Sequence, residues 1–198
     1  RRVLFRSVQP IAEALKQHPV QRIVIVSSTR VYGESEGQRI DDESVIQPVD
    51  EQGHLLRKME LLWQDYYPQQ SIIVRPTGIY GTSIARLKRL AEQTQTYPAI
   101  HFSNRIHMDD LARFLAFLVD IQTFESSYIV TNNIPIPMHE ILLWFQQKLG
   151  LPLLKLSSEH HTGKQIFATR LAKTNFKLNH PICFNDYAEL LHVHSNEK

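Results

Sequence analysis

Apolar positions along this chain fall into two kinds of segment, short unbroken runs and longer stretches with a helical period. Ile23-Val24-Ile25-Val26 is the clearest run, four β-branched residues in a row. Such a run predicts a strand covered on both faces, as in a parallel sheet. Just before it, Ile11, Ala14 and Leu15 recur at helical spacing over residues 10–17, and His18-Pro19 closes the segment. Helix followed by strand is half of a βαβ unit. Residues 34–48 are polar and acidic without period and predict a surface loop. Leu55, Leu56, Met59, Leu62, Trp63 and Tyr66 then mark an amphipathic helix that Pro68 stops. Ser71-Ile72-Ile73-Val74-Arg75-Pro76 predicts a second strand, and Ile84, Leu87 and Ala91 lie along one face of a further helix. Phe114, Leu115, Phe117 and Leu118 give a buried face to another helix, which Asp109 or Asp110 is expected to cap. Tyr128-Ile129-Val130-Thr131-Asn132 predicts a third strand. Pro137 opens the next helix, Ile141, Leu142 and Phe145 give it period, and Lys148 and Gly150 end it. Beyond Leu151 the pattern weakens to a short helix over 169–178 and a final one over 186–191.

Composition narrows the picture only slightly. The 198 residues are 42% hydrophobic and 21% charged, ordinary for a globular protein with a sizeable core. No apolar run approaches the roughly 20 residues of a membrane span, so no membrane partner is expected. A formal charge of +2 is too small to imply nucleic acid. Cys183 is the only cysteine, which excludes an internal disulfide and fits a reducing cytoplasmic setting. The chain opens on Arg1-Arg2-Val3-Leu4-Phe5-Arg6-Ser7 without an initiator Met, and reads as a fragment. Residues 1–7 are therefore left out of the fold argument. His160-His161 and His192-x-His194 read as exposed side chains, and no metal site is expected. Thr162-Gly163-Lys164 lacks the upstream glycine of a phosphate loop and is set aside.

Three motifs carry chemistry. Ser27-Ser28-Thr29-Arg30-Val31-Tyr32-Gly33 follows the first strand, Arg75-Pro76-Thr77-Gly78-Ile79-Tyr80-Gly81 leaves the second, and Arg105-Ile106-His107-Met108-Asp109-Asp110-Leu111-Ala112 opens a helix. Hydroxyls at a strand's carboxyl end stand where open α/β sheets bind ligands. In kind and order these segments resemble the extended short-chain dehydrogenases/reductases, the NAD-dependent epimerase/dehydratase group. The resemblance covers residues 8–180. It implies the later part of a doubly wound, Rossmann-like parallel sheet with a small C-terminal substrate lobe. On that reading residues 8–82 form a partial dinucleotide-binding domain and 83–198 the lobe, with residues 105–150 packing back on the sheet.

The resemblance also implies site residues. Ser28 takes the catalytic position and holds the substrate oxygen. Ser27, Ser28, Arg75, Pro76, Thr77, Gly78 and Ile79 are expected against NAD or NADP. Thr29 is expected against substrate, as are Arg86 and Arg89 through a phosphate, although a solvated basic face is the plainer reading of that helix. The implied substrate is a small molecule, a sugar or nucleotide sugar, and the implied assembly a homodimer through the 55–66 helix.

Two features depart from the family pattern. No Gly-x-Gly-x-x-Gly or Gly-x-x-Gly-x-x-Gly occurs, so the pyrophosphate-binding turn is expected upstream of the fragment. No Tyr is followed four residues later by Lys, so the acid/base pair is missing. Aligned on Glu60, its positions hold Gln52 and Leu56; a shift of two residues gives Asp50 and His54. An imidazole oriented by Asp50 suits proton transfer near neutral pH. The plainer reading, preferred here, is two polar residues on an exposed first turn. Two functions remain open: an atypical NAD(P)-dependent oxidoreductase or epimerase, and a cofactor-binding sensor or scaffold without turnover.

Overall fold

The computed structural model describes residues 3–18, 20–33 and 36–195. Arg1, Arg2, the expected helix stop Pro19 and the loop residue Glu34 lie outside them, as does the side chain of His194. In chain order the elements are α1 (Val3–Leu15), β1 (Ile23–Val26), a 3-10 turn (Thr29–Tyr32), β2 (Gln38–Ile40), α2 (Glu51–Tyr66), β3 (Ser71–Pro76), β4 (Gly78–Tyr80) and α3 (Ala85–Gln93). Then follow β5 (Thr96–Tyr97), β6 (Ile100–Ser103), β7 (Arg105–His107), α4 (Met108–Asp120), β8 (Ser127–Val130), β9 (Ile136–Pro137), α5 (Met138–Leu149), β10 (Lys155–Leu156), β11 (His161–Ile166) and α6 (Cys183–Ser195).

β1, β3 and β8 form a parallel sheet in that order, with Val26 opposite Val74 and Val74 opposite Tyr128. The central strand β3 is buried along its whole length, as its unalternating sequence predicts. Its side chains divide between the two faces. Ile73 packs with Ile25, Val8, Ala12, Met59 and Trp63 beneath α1 and α2. Ile72 and Val74 join Leu111, Phe114 and Leu118 of α4 on the other face. β1 is an edge strand among the described residues, which leaves Val26 48% exposed where the sequence predicts cover on both faces.

A separate core joins α3, α5 and α6 through Ile84, Ala91, Ile141, Phe145, Cys183 and Tyr187. Within residues 105–150, α4 and β8 pack in the sheet's core and α5 in this second one. Several elements differ from their sequence reading. The helical face of α1 is Val8, Ala12 and Leu15, because the helix starts at Val3 and meets the sheet on that side; Ile11 and Ala14 point outward. Residues 169–178 hold only a 3-10 turn over Leu171–Lys173, held open by Asp42, whose carboxylate accepts from Thr169 Oγ1 and Arg170 N. Asp42 also accepts from Ile129 N, so the polar loop is pinned to β8 and contributes β2 to a second sheet ordered β2-β11-β6-β9.

A buried ion pair ties the first layer together. Arg75 is 3% exposed and Glu60 is fully buried. Arg75 Nε and Nη2 donate to the two Glu60 oxygens at 3.0 and 2.9 Å, and Nη1 donates to the Tyr32 hydroxyl at 2.8 Å. Arg57 adds a second cation to Glu60 at 3.1 Å. Bidentate geometry and full hydrogen bonding are what make such a pair tolerable in a low-dielectric interior. Removing one partner strands the other charge. Arg75→Met is therefore expected to lower stability in urea unfolding by about 3–5 kcal/mol, whereas Arg30→Met at the exposed Arg30–Asp50 pair costs far less. Equal losses for the two variants would contradict this account of Arg75.

Candidate functional site

The three parallel strands end on one rim, and there the first two motifs meet. Ser27 N donates to Val74 O at 2.7 Å, and Thr77 N donates to Val130 O at 3.1 Å. Thr29 Oγ1 reaches Pro76 O at 3.4 Å, so the turn after β1 and the exit of β3 are joined directly. Between them lies a cavity of about 360 Å³ lined by Ser28, Thr29, Arg30, Gly33, Val49, Asp50, Pro76, Thr77, Gly78 and Lys164. Ser28 of the first motif and Thr77 of the second both line it.

Each lining residue is placed by local chemistry. Ser28 is the N-cap of the 3-10 turn, its Oγ accepting from Arg30 N at 3.2 Å. That bond uses a lone pair and leaves the hydroxyl proton free to be donated. Gly33 closes the turn at φ +71°, where a Cβ would run into Gln47 O. Gly78 brings the β3 exit hard against Asn104, whose carbonyl would stand 2.9 Å from a Cβ there. Asp50 caps α2 by accepting from Gly53 N at 2.7 Å and pairs with Arg30 Nε at 2.7 Å. The Gly53 and Arg30 bonds hold the Asp50 carboxyl below its usual range.

The remaining candidates fall elsewhere. The resemblance places Arg75 against the cofactor, but its guanidinium is turned inward to Glu60 and Tyr32 and does not line the cavity. Burial pushes the Tyr32 phenol up, with the Arg75 cation opposing it. Ile79 points outward at 54% exposure and does not line the cavity. Ser27 is buried with Oγ unpartnered, beside the cavity wall but not part of it. His54 is exposed on the first turn of α2, outside the cavity, and its orienter Asp50 is engaged by Arg30 and Gly53. Arg86 and Arg89 are exposed on α3 and also outside it.

Two features lay beyond local sequence signals. Lys164 reaches the cavity from β11 through strand pairing with β2, Lys164 opposite Gln38, and no short motif announces that contact. The third motif builds something other than an acid-capped helix. The His107 ring caps α4 by accepting from Asp109 N at 3.2 Å, while buried Asp110 accepts from Asn179 N, His180 N and Arg113, docking the C-terminal segment. His180 stacks on His107 with ring centroids 3.7 Å apart at 17°. Asp186 accepts from the Tyr80 hydroxyl at 2.6 Å and is bonded to His180 Nδ1 at 2.7 Å.

His107, His180 and Asp186 are the described residues whose possible ligand atoms cluster, within 4.8 Å of one another. Stacked rings direct their in-plane lone pairs side by side instead of toward one point, and both Asp186 oxygens are already engaged. The group closes on itself as a hydrogen-bonded latch between β4, α4 and α6. The Asp186 hydrogen bond raises the His180 pKa above its usual 6.5 against a smaller cost of burial. Burial, with the neighbouring His180, lowers that of His107. Near pH 6.5 the stacked pair therefore favours charge on His180 over charge on His107. Stability from His180 is complete below about pH 6.5 and lost as pH rises through its elevated folded value; that from His107 is present above about 6.5 and lost as pH falls through its depressed one. Proton NMR is expected to show His180 titrating above 6.5 and His107 below, with Asp186→Asn returning His180 toward 6.5. Two indistinguishable midpoints would contradict the latch.

No family model matches the chain. A structure from Methylobacillus flagellatus, described as a candidate NAD-dependent epimerase/dehydratase, is 30% identical with a TM-score of 0.85, over 96% of this chain and 71% of that one. Protein YeeZ of Escherichia coli K12 is 27% identical over 185 residues, 89% of this chain. The chain spans 65% of the length of that curated relative. The structure of MoeE5 in complex with UDP-glucose and NAD has a TM-score of 0.73 at 16% identity, over 96% of this chain and 71% of that one, and shares the fold. With its rim motifs, its parallel sheet and a 30%-identical structural relative in agreement, this chain belongs to the NAD-dependent epimerase/dehydratase family.

Proposed function

We propose that the protein binds NAD or NADP across the β1–β3 rim and acts as an oxidoreductase or epimerase on a sugar or nucleotide-sugar-like substrate. The observation that carries this reading is the shared cavity of Ser28, Thr77 and Gly78 at the carboxyl ends of two parallel strands. MoeE5, of the same fold, is described with UDP-glucose and NAD. The residues present fit the nicotinamide end of such a cofactor: Gly78 exposes backbone at the rim, and Ser27 holds a buried hydroxyl without a partner. When bound, the nicotinamide would supply or accept hydride. The chain's part is to place the substrate. Ser28 donates its hydroxyl proton to the substrate oxygen, while Arg30 N–H fixes the Oγ from behind. Pro76 and Thr77 hold the floor opposite.

A second reading, a cofactor-binding sensor or scaffold without turnover, is favoured by one observation, the absence of any Tyr-x-x-x-Lys. Both readings require the cofactor, and they separate on chemistry. The full-length protein is expected to bind NADH at micromolar concentration by fluorescence and to turn over a nucleotide sugar, with UDP-glucose as first probe. Ser28→Ala should lower turnover about 100-fold with NADH affinity unchanged. His54→Ala should leave turnover unaltered. NADH binding with no turnover on a nucleotide-sugar panel would select the sensor reading; no NADH binding would overturn both.

A further inference from the structure

Among the described residues, the buried and half-buried arginines all have strong acceptors except one. Arg57 and Arg75 face Glu60, Arg113 faces Asp110, Arg170 faces Glu43, and Arg22 donates to the carbonyls of Leu118 and Val119. The exception is Arg105, half-buried on β7. Its guanidinium meets the Met138 thioether, Nη2 to Sδ at 3.9 Å, and its buried Nε has no partner. A thioether is a weak acceptor, whereas a guanidinium carries five N–H donors and does not lose its proton in proteins. The position therefore holds a permanent cation whose bonding capacity is largely unused.

Nothing in the local fold calls for that charge. The backbone makes the structural contacts: Arg105 O accepts from Asn132 N at 2.9 Å and from Thr131 Oγ1 at 3.2 Å, and β7 pairs with β4, Arg105 opposite Gly78. An apolar side chain would allow the same bonds without desolvating a cation. The side chain lies instead between the rim and the second core. A Cβ at Gly78, which lines the cavity, would stand 3.6 Å from Arg105 Nη1. On the other side, burial pushes the Cys183 thiol and the Tyr187 phenol up and the Arg105 charge opposes it, so the first turns of α6 lie within its field. Met138 begins α5, whose N-terminal turn has no side-chain cap, and the positive end of that helix adds to the preference for an anion.

We propose that Arg105 binds an oxyanion of the substrate, a carboxylate or a phosphate, just beyond Gly78 on the side of the cavity that faces α5 and α6. This rests on the reading of the cavity as the substrate site and adds to it the substrate's charge and the direction in which it extends. The guanidinium fork matches two oxygens of one anion. The Met138 thioether, flexible and weakly bonded, gives way to it. Arg105 then holds one end of the substrate while the Ser28 hydroxyl holds the reacting oxygen, and two fixed points orient the molecule between the rim and the second core.

The test is equilibrium binding to the full-length protein, by calorimetry, with inorganic phosphate and D-glucuronate as separate probes. At least one is expected to bind, and the stronger of the two identifies the acidic group. Arg105→Met should weaken that probe roughly 10- to 100-fold, the contribution of charge-assisted hydrogen bonds. Arg105→Lys keeps the charge but loses the fork, and should fall between. Lys155→Met removes a charge beside a different cavity and should change nothing. The unfolding temperature of Arg105→Met should equal or exceed that of wild type, because no acid is stranded by the change. A lowered unfolding temperature together with lost probe binding would make Arg105 a structural residue and overturn the site. Failure of both probes to bind wild type, or equal binding by Arg105→Met, would overturn it as well. NADH affinity, measured separately by fluorescence, should be the same in wild type and Arg105→Met; a fall in the variant would place Arg105 on the cofactor and overturn its assignment to substrate. Absence of NADH binding in wild type would overturn the cofactor reading instead, and the separate titrations tell the two failures apart.

Discussion

The buried pairing of Arg75 with Glu60 and Tyr32 is the constraint on which the rest of the rim depends. Glu60 comes from the middle of α2, Arg75 from the end of the central strand, and Tyr32 from the turn that Ser28 caps. Desolvating two charges is costly, and only near-complete hydrogen bonding offsets it. Any shift of the Ser28 turn relative to Pro76 would lengthen the Tyr32 bond and expose that cost. The pair therefore acts as a gauge between the two motifs. It contributes specificity of position more than net stability, since replacing the whole buried group together by apolar side chains of equal volume is often neutral, whereas removing Arg75 alone strands Glu60.

Around that gauge the molecule is assembled from long-range contacts. Asp42 pins the segment after the turn to β8 and to residues 169 and 170. Asp110, His107, His180 and Asp186 latch the C-terminal segment onto β4 and α4. Asn104 couples β11 to the β3 exit. Each is a buried or half-buried polar group with its hydrogen-bonding capacity largely satisfied, which is how irregular chain is fixed in one place when a single apolar core cannot reach it. The cavity inherits its shape from these ties.

Elements whose burial is set by near neighbours in sequence were legible. β3 follows its sequence reading residue for residue, α5 ends at Gly150 in the left-handed conformation expected of a C-terminal glycine, and Asp50 heads α2. The meeting of Ser28 with Thr77 followed from order alone, because parallel strands must end on one rim. Features made by distant pairing were not. Nothing local distinguishes Gln38–Ile40 as a strand or Lys164 as a cavity residue, since both depend on β2 finding β11. The inward turn of Arg75 was not legible because a motif gives a residue's place along the chain but not the side its side chain takes, and its partner Glu60 is identified only by its full burial in the structure. His107 took the cap expected of Asp109 or Asp110 because Asp110 is used to hold Asn179 and His180.

The central claim is that Ser28 and the Pro76–Gly78 exit, held in register by Arg75, make one cofactor-facing surface. Amide hydrogen exchange of the full-length protein with and without NADH tests it directly. The account predicts slowed exchange in residues 27–32 and 77–80 together, with residues 85–93 on the outer face of α3 unchanged. Slowed exchange confined to other segments, with both rim segments unaffected, would contradict it.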